Sequence, residues 1–304
     1  MEKIILVNPY GRSITLGGFG EEFILMSRGD AGGLGVNIST ETGYLQRGAS
    51  VIQKTLGQKT FILTIGVKSG SQAVFKERMN TLSRFFEPEY YYRDSVVPFK
   101  MQIQTMGYTT KEMEVFVQKT PTFLNTREDS ALYYQRCYVN LLAPIPIWKD
   151  VNNTSINLAS QIDLLEFPLE LSDSFEFSQL VSGGVPVNNL GDVSVPVKIT
   201  FTGLSTNPII TNETYGESLK LLTTIADGDV VNIDTSYETP SVTITSGGVT
   251  TNAFQYIDPA NNSLNMTLRR GENLITYTSD DLSVSVATLR YKKSWLSPFS
   301  GVIV

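Results

Sequence analysis

Alternation of apolar and polar positions with a period of two runs through most of the chain. Phe61, Leu63 and Ile65 point one way while Ile62 and Thr64 point the other. Val195, Val197, Ile199 and Phe201 alternate with Pro196, Lys198 and Thr200, and the period returns in Leu219, Leu221, Thr223 and Ile225, then in Leu264, Met266 and Leu268. Runs of this kind predict strands with one buried face. Further strands are expected from Phe99 to Met106, Glu112 to Lys119 and Tyr133 to Leu142. Asp227-Gly228-Asp229, Ser246-Gly247-Gly248 and Arg270-Gly271-Glu272 supply the turns between the later runs, so the second half reads as an antiparallel sandwich. Pro196 lacks a backbone donor and must then lie at an edge or a bulge.

One segment breaks the period. Phe75, Met79, Leu82 and Phe86 recur at helical spacing behind Ser71, a residue suited to the N-cap, and Pro88 stops the run. The pattern predicts a helix over 71–87, packed by that stripe on the neighbouring sheet. Beyond it, the run Glu89-Tyr90-Tyr91-Tyr92-Arg93 reads equally as a strand on the sheet or as interface, where tyrosine and arginine are enriched.

At Pro144 and Pro146 the chain loses two donors and is biased toward extended backbone, so it is expected to leave its sheet and begin a new unit. Two domains follow, 1–143 and 144–304. Charge divides in the same place. Sixteen basic and 13 acidic residues up to Ala143 give +3, whereas 8 basic and 17 acidic from Pro144 give −9. No basic stripe with interleaved aromatics accompanies that split, which argues against a nucleic-acid binder.

The 304 residues are 41% hydrophobic and 18% charged, enough for a sizeable core and too few charges for a disordered or coiled-coil chain. The chain has no histidine and one cysteine, Cys137, which removes the intramolecular disulfide, the usual zinc ligands and the common general base. The apolar run Ile4 to Val7 is too short for a signal peptide or a membrane span, so synthesis and assembly are expected in a cytoplasm.

Candidate chemistry is sparse. The stretch SRGDAGGLGV at 27–36 contains Arg28-Gly29-Asp30, an adhesion tripeptide, and four glycines that could cradle phosphate. A dinucleotide fingerprint started at Gly33 and Gly35 would need glycine where Ile38 stands, in a predicted strand, and Gly57-Gln58-Lys59-Thr60 lacks the adjacent Gly-Lys pair of a phosphate loop. The stretch is therefore read as a turn and a bulge. Glu21 with Glu22, Asp227 with Asp229, and Asp280 with Asp281 are carboxylate pairs by sequence only, and Asp227, Asp229 and Asp234 do not follow calcium-loop spacing. No enzyme and no cofactor is expected.

The second half carries a set of short motifs in order: Pro146 and Trp148, then Asn189-Leu190-Gly191-Asp192, Asn207-Pro208, Gly228-Asp229 through Asp234, Gly271-Glu272-Asn273 through Tyr277, and Arg290-Tyr291. Their order and spacing resemble the distal tail protein of siphophages. The resemblance implies a mainly β chain with an N-terminal β-barrel-like ring domain bearing one α-helix, followed by a C-terminal galectin-like β-sandwich. It implies a hub at the distal end of a phage tail. Six copies would close into a ring that joins the tail tube to a tail-tip or tail-associated protein and possible receptor-binding proteins, with DNA passing through the channel. The alternative is a carbohydrate-binding β-sandwich module for host-surface attachment, though Trp148 and Trp295 read as packing anchors.

Overall fold

The computed structural model describes residues 2–18, 20–29, 33–87, 97–124, 126, 129–159, 161–163, 178–180, 184–262, 264–280 and 285–300. Pro88 and the run from Glu89 to Arg93, Asp30 and Asp281 lie outside them. The chain forms two compact units, Met1–Val151 with Trp295–Val304, and Asn152–Ser294.

The first unit contains strands β1 (Lys3–Val7), β2 (Ser13–Gly17), β3 (Phe23–Ser27), β4 (Val36–Glu41), β5 (Ser50–Leu56), β6 (Lys59–Lys68), β7 (Phe99–Gln104), β8 (Lys111–Phe123), β9 (Ser130–Ala131), β10 (Tyr134–Ala143) and β11 (Trp148–Asp150). The short β29 (Ser294–Trp295) extends its sheet at the β11 edge. Seven strands close a barrel in the order β8-β7-β1-β2-β3-β6-β10, because β8 pairs with β7 on one side and with β10 on the other. Closure removes the free edges that an open sheet would present. Alternation fills the interior: Ile4 and Leu6, Phe61, Leu63, Ile65 and Val67, Met101 and Ile103, and Val139 and Leu141 are all buried. Helix α1 (Gln72–Phe85) follows β6, and Ser71 caps it by accepting from the Val74 amide. Leu82, Phe85 and Phe86 enter the same core, with the Phe85 and Phe86 rings 5.7 and 6.0 Å from Phe99.

The observed grouping departs from the expected division at Ala143 and Pro144. Proline ends β10, yet it says nothing about where the chain goes next. Here β11 turns back onto β8, pairing Lys149 with Glu112 and Asp150 with Lys111, and Trp148 enters the barrel core. Trp295 joins that core too, although 143 residues intervene between Val151 and Trp295.

In the second unit one sheet runs β12 (Thr154–Ala159), β28 (Val286–Tyr291), β17 (Lys198–Thr202), β22 (Val230–Asp234), β23 (Ser241–Ser246), β24 (Val249–Asn252). The other runs β15 (Val185–Asn189), β27 (Gly271–Thr278), β19 (Ile209–Asn212), β20 (Glu217–Leu221), β25 (Ile257–Asn262). Ile199, Phe201, Val231 and Leu289 from the first and Ile210, Leu219, Ile275 and Tyr277 from the second share one buried core, as two facing sheets require. Short pairs complete the unit: β13 (Gln161–Asp163) with β14 (Ser178–Leu180), β16 (Val195–Pro196) with β26 (Thr267–Leu268), and β18 (Ser205–Thr206) with β21 (Thr224–Ile225).

Two expected continuous strands are broken. Val195, Val197, Ile199 and Phe201 are all buried, but Pro196 ends β16 and the chain changes sheets at Val197, whose amide donates to Thr235 Oγ1 at 2.9 Å. Leu219 to Ile225 splits into β20 and β21 where the Leu222 amide turns to the Tyr256 carbonyl.

Candidate functional site

The sequence motifs lie mostly where the backbone must turn, and their side chains hold those turns. Asn189 is fully buried; its Nδ2 donates to the Val193 and Leu268 carbonyls, each at 3.0 Å, and its Oδ1 accepts from the Gly191 amide. At Gly191 a Cβ would stand 2.6 Å from the Ser294 carbonyl oxygen, so only glycine lets the Asp192 amide reach that oxygen at 2.8 Å. Asn273, also fully buried, donates to the Arg269 and Gly271 carbonyls and accepts from the Arg269 amide and from Asn212. Gly271, at φ 91°, begins that strand in a conformation that disfavours other residues.

The remaining motif residues act in the same way. Asn207 donates to Asp280 at 2.7 Å, Pro208 supplies a carbonyl to the Leu221 amide, and Gly228 forms a turn closed by the Asp229 amide on Ala226. Tyr277 hydroxyl lies 3.0 Å from Ser205 Oγ and 2.6 Å from Ser285 Oγ, and Tyr291 donates to the Asn188 carbonyl. Arg290 is exposed and stands opposite Lys198 and Ser155 in the sheet. Asp234 pairs with Lys198 at 2.7 Å. Burial alone would raise its carboxyl, but Lys198 and the hydroxyl and amide of Ser236 together hold it below the usual range. Pro146 is buried, and Trp148 sits edge-on to Phe61 with ring centroids 6.4 Å apart.

The carboxylates Glu21 and Glu22 are separated by their partners. Glu21 binds Lys3 at 2.6 Å and Glu22 binds Arg78 at 3.3 Å. Asp280 receives Asn207, and among the described residues no three Cys, Asp or Glu side chains gather as a metal site. Arg28 of the adhesion tripeptide pairs with Glu2 and lies 4.6 Å from the Phe299 ring centroid. Both charged residues line an open pocket of about 470 Å³ with Ile24, Leu25 and Met26, so Arg28 serves the barrel's own surface. Trp148 and Trp295 are 1% and 5% exposed and offer no stacking face for a sugar.

The feature that stands apart is the ribbon of β4 and β5. Among the described residues these strands pair only with each other, and every residue in them is exposed. Register sorts the side chains. Val36 faces Leu56, Ile38 faces Lys54 and Thr40 faces Val51 on one side; Asn37 with Thr55, Ser39 with Gln53, and Glu41 with Ser50 form the other. One face is thus largely aliphatic and the other polar, with Ile52 added at the bulge beside Thr40. At the tip, Tyr44 and Leu45 are 96% and 86% exposed, and Leu45 is held at φ 62° by a turn in which Gly43 and Gln46 bond to each other and Gln46 reaches Ser50. A branched residue in left-handed backbone costs about 1 kcal/mol or more.

The ribbon's root is the glycine stretch itself. Gly29 and Gly33 have φ of 64° and 58°, and the Gly57 amide closes the two legs on the Gly35 carbonyl at 2.8 Å. Lys59, the first residue of β6, is 8% exposed and donates from Nζ to the Gly33 carbonyl at 2.7 Å. Of the stretch 27–36, residues 30–32 lie outside the described residues; Gly33 and Gly35 stand at the ribbon's root, Val36 begins β4, and Ile38 lies in a strand as its pattern requires. The face separation was readable in Val36-Asn37-Ile38-Ser39 but carried no expectation, because a two-residue alternation does not say which face stays uncovered.

Residues 190–295 match the family model described as siphovirus-type tail component, C-terminal domain. Over this segment the chain is similar to the siphovirus-type tail components. The segment holds the motifs from Gly191 through Tyr291, while Asn189, Pro146 and Trp148 precede it. The whole chain shares its fold with the Dit protein of phage SPP1, described as a paradigm of the hub adsorption apparatus of phages infecting Gram-positive hosts. That likeness has 10% identity and a TM-score of 0.63 over 95% of this chain and 98% of that one. The baseplate of phage P2 in its activated conformation with calcium matches at 11% identity and a TM-score of 0.53, over 96% and 97% of the two chains. A search of curated proteins returns no match. The tail-component match over 190–295 and the fold shared along the chain agree with the resemblance to distal tail proteins.

Proposed function

We propose that this tail component is the hub at the distal end of a siphophage tail, and that its copies join through the β4–β5 ribbon into a closed ring of six. The ribbon carries the reading. A lone two-stranded ribbon is marginal in water. An aliphatic face of Val36, Ile38, Val51 and Leu56 left in solvent is a face made to be covered. Among the described residues each ribbon leaves two edges unpaired, and the β4 edge of one copy can bond to the β5 edge of the next. Such a head-to-tail contact closes into a ring when the rotation permits. In that ring the aliphatic faces turn toward protein. The face of Asn37, Ser39, Gln53 and Thr55 turns toward the channel, where DNA passes without specific binding.

The ring's two sides meet the tail tube and a tail-tip or tail-associated protein, with receptor-binding proteins as further partners. The second unit is the peripheral galectin-like sandwich, the virion's tail tip is the location, and assembly takes place in the host cytoplasm. Light scattering of the full chain, alone and mixed with its tail-tube and tail-tip partners, tests this. Rings of six are expected in at least one mixture, and Ile38→Asp with Val51→Asp should abolish them while leaving the circular dichroism spectrum intact. A chain that stays monomeric in every mixture, or a double variant that assembles like the parent, would overturn the proposal.

A further inference from the structure

We infer that Lys59 is the positioning residue of the ribbon: its buried ammonium fixes the direction in which β4 and β5 project from the barrel. The significance for assembly rests on the hub reading, but the geometry is independent of it.

Three observations meet at this residue. The ribbon's attachment is rich in glycine, with Gly29, Gly33 and Gly35 on the outgoing side and Gly57 on the return, and glycine imposes little direction on a chain. The two legs are tied to one another by the Gly57 amide on Gly35, a bond that moves with the ribbon and does not aim it. Lys59, by contrast, belongs to β6, a barrel strand flanked by β3 and β10, with its own register partner Ala143. From that fixed base its Nζ reaches the Gly33 carbonyl at 2.7 Å and stands 5.4 Å from the Phe61 ring centroid, within range of a cation–π contact. Phe61 is 1% exposed and is packed edge-on against Trp148, so the ammonium is held against the buried barrel core.

A barrel-borne cation thus grips the outgoing leg. An aliphatic side chain of the same length would fill the same space beside Phe61. What the apolar replacement cannot do is bond Gly33. The charge therefore serves the direction of the ribbon more than the stability of the barrel.

The test measures direction without relying on assembly. Spin labels at Leu45→Cys on the tip and Ser83→Cys on α1 report the tip's position by electron–electron distance measurement in the full chain at submicromolar concentration. Cys137 is buried and takes no label. In the parent the distance distribution should be narrow. Lys59→Met should broaden it at least twofold with the thermal midpoint unchanged or raised, and Lys59→Arg, which keeps a long donor, should restore most of the narrowness. An unchanged width in Lys59→Met overturns the proposal. Should Lys59→Met fail to fold, Lys59→Gln gives the same reading, because its shorter amide cannot span to Gly33 without loosening the root. Light scattering of the unlabelled variants separates the two ideas: a broadened tip with undiminished assembly leaves Lys59 as the positioning residue and defeats the ribbon as the joint between copies.

Discussion

Asn273 and Asn212 face each other inside the sandwich, with Asn212 Nδ2 3.1 Å from Asn273 Oδ1 and both side chains fully buried. Asn273 also holds the Arg269 and Gly271 carbonyls, at 2.8 and 2.9 Å, and the Arg269 amide at 3.0 Å. A single amide thus satisfies a turn and the neighbouring strand in space that water cannot reach. Asn273→Ala leaves several buried donors and acceptors without partners, at about 1–3 kcal/mol for each unsatisfied group before relaxation. We expect a net loss of about 3 kcal/mol in urea denaturation of the full chain, against almost none for the exposed Asn188→Ala in β15. Equal, small losses for the two would show that the amide network is replaceable.

Much of this architecture could be read from the order of residues. The buried face of β6, the cap at Ser71 and the core helix positions follow from periodicity, since alternation and helical spacing are local properties. Closure of the barrel does not. It depends on β8 pairing with both β7 and β10, and no residue of Lys111–Phe123 announces two partners. The return of Trp295 was hidden for a related reason: a long loop closes at modest entropic cost, so sequence distance says little about which strand will receive it. The motifs around Asn189 and Asn273 were visible as motifs, but their role is a set of bonds to carbonyls up to 86 positions away. The ribbon is the converse case. Its alternation is local, whereas its exposure is decided by what the rest of the barrel leaves uncovered.

Lys198 and Asp234 stand opposite each other in β17 and β22, 2.7 Å apart. Because the folded-state carboxyl of Asp234 lies below its ordinary value of about 3.9, its contribution is fully present above that value and is lost as pH falls through the lower folded value. Lys198 is largely exposed, so water screens the pair and the effect is below about 1 kcal/mol. Asp234→Asn should lower the urea midpoint slightly at pH 7, and the difference from the parent should shrink as pH falls below about 3.9. A difference that persists undiminished at pH 2 would assign the effect to the Ser236 bonds alone.

Cys137 is fully buried in β10, and burial pushes its thiol up to about 12. The native thiol is therefore protonated and inaccessible at pH 8, and a disulfide exchange reagent should modify it only after denaturation. Linkage gives a second consequence. With the folded value raised, stability attributable to this site is complete below the unfolded value of about 8.5 and declines as pH rises toward 12. The parent should lose stability between pH 9 and 11 more steeply than Cys137→Ala, by up to about 1.4 kcal/mol per pH unit from this one group. Rapid modification of the native protein, or parallel alkaline slopes, would contradict the burial.

Trp295 is bonded into the barrel unit by three kinds of contact. Its indole Nε1 donates to Asp150 Oδ1 at 2.8 Å, its ring lies 4.2 Å from the buried Lys111 Nζ, and its side chain belongs to the core that contains Trp148. Removing a buried tryptophan costs about 3–5 kcal/mol. Trp295→Phe keeps a ring near Lys111 and loses the Nε1 bond, which alone is worth about 1–3 kcal/mol because the acceptor is a carboxylate. The variants are also reporters. The chain has two tryptophans, so either substitution leaves Trp148 as the sole indole, packed on Phe61 inside the barrel. Its emission during urea titration should place Trp295→Ala about 4 kcal/mol below the parent and Trp295→Phe between the two. If Trp148 reports the same midpoint in all three proteins, the returning segment contributes nothing to the barrel, and Met1–Val151 would have to be stable without it.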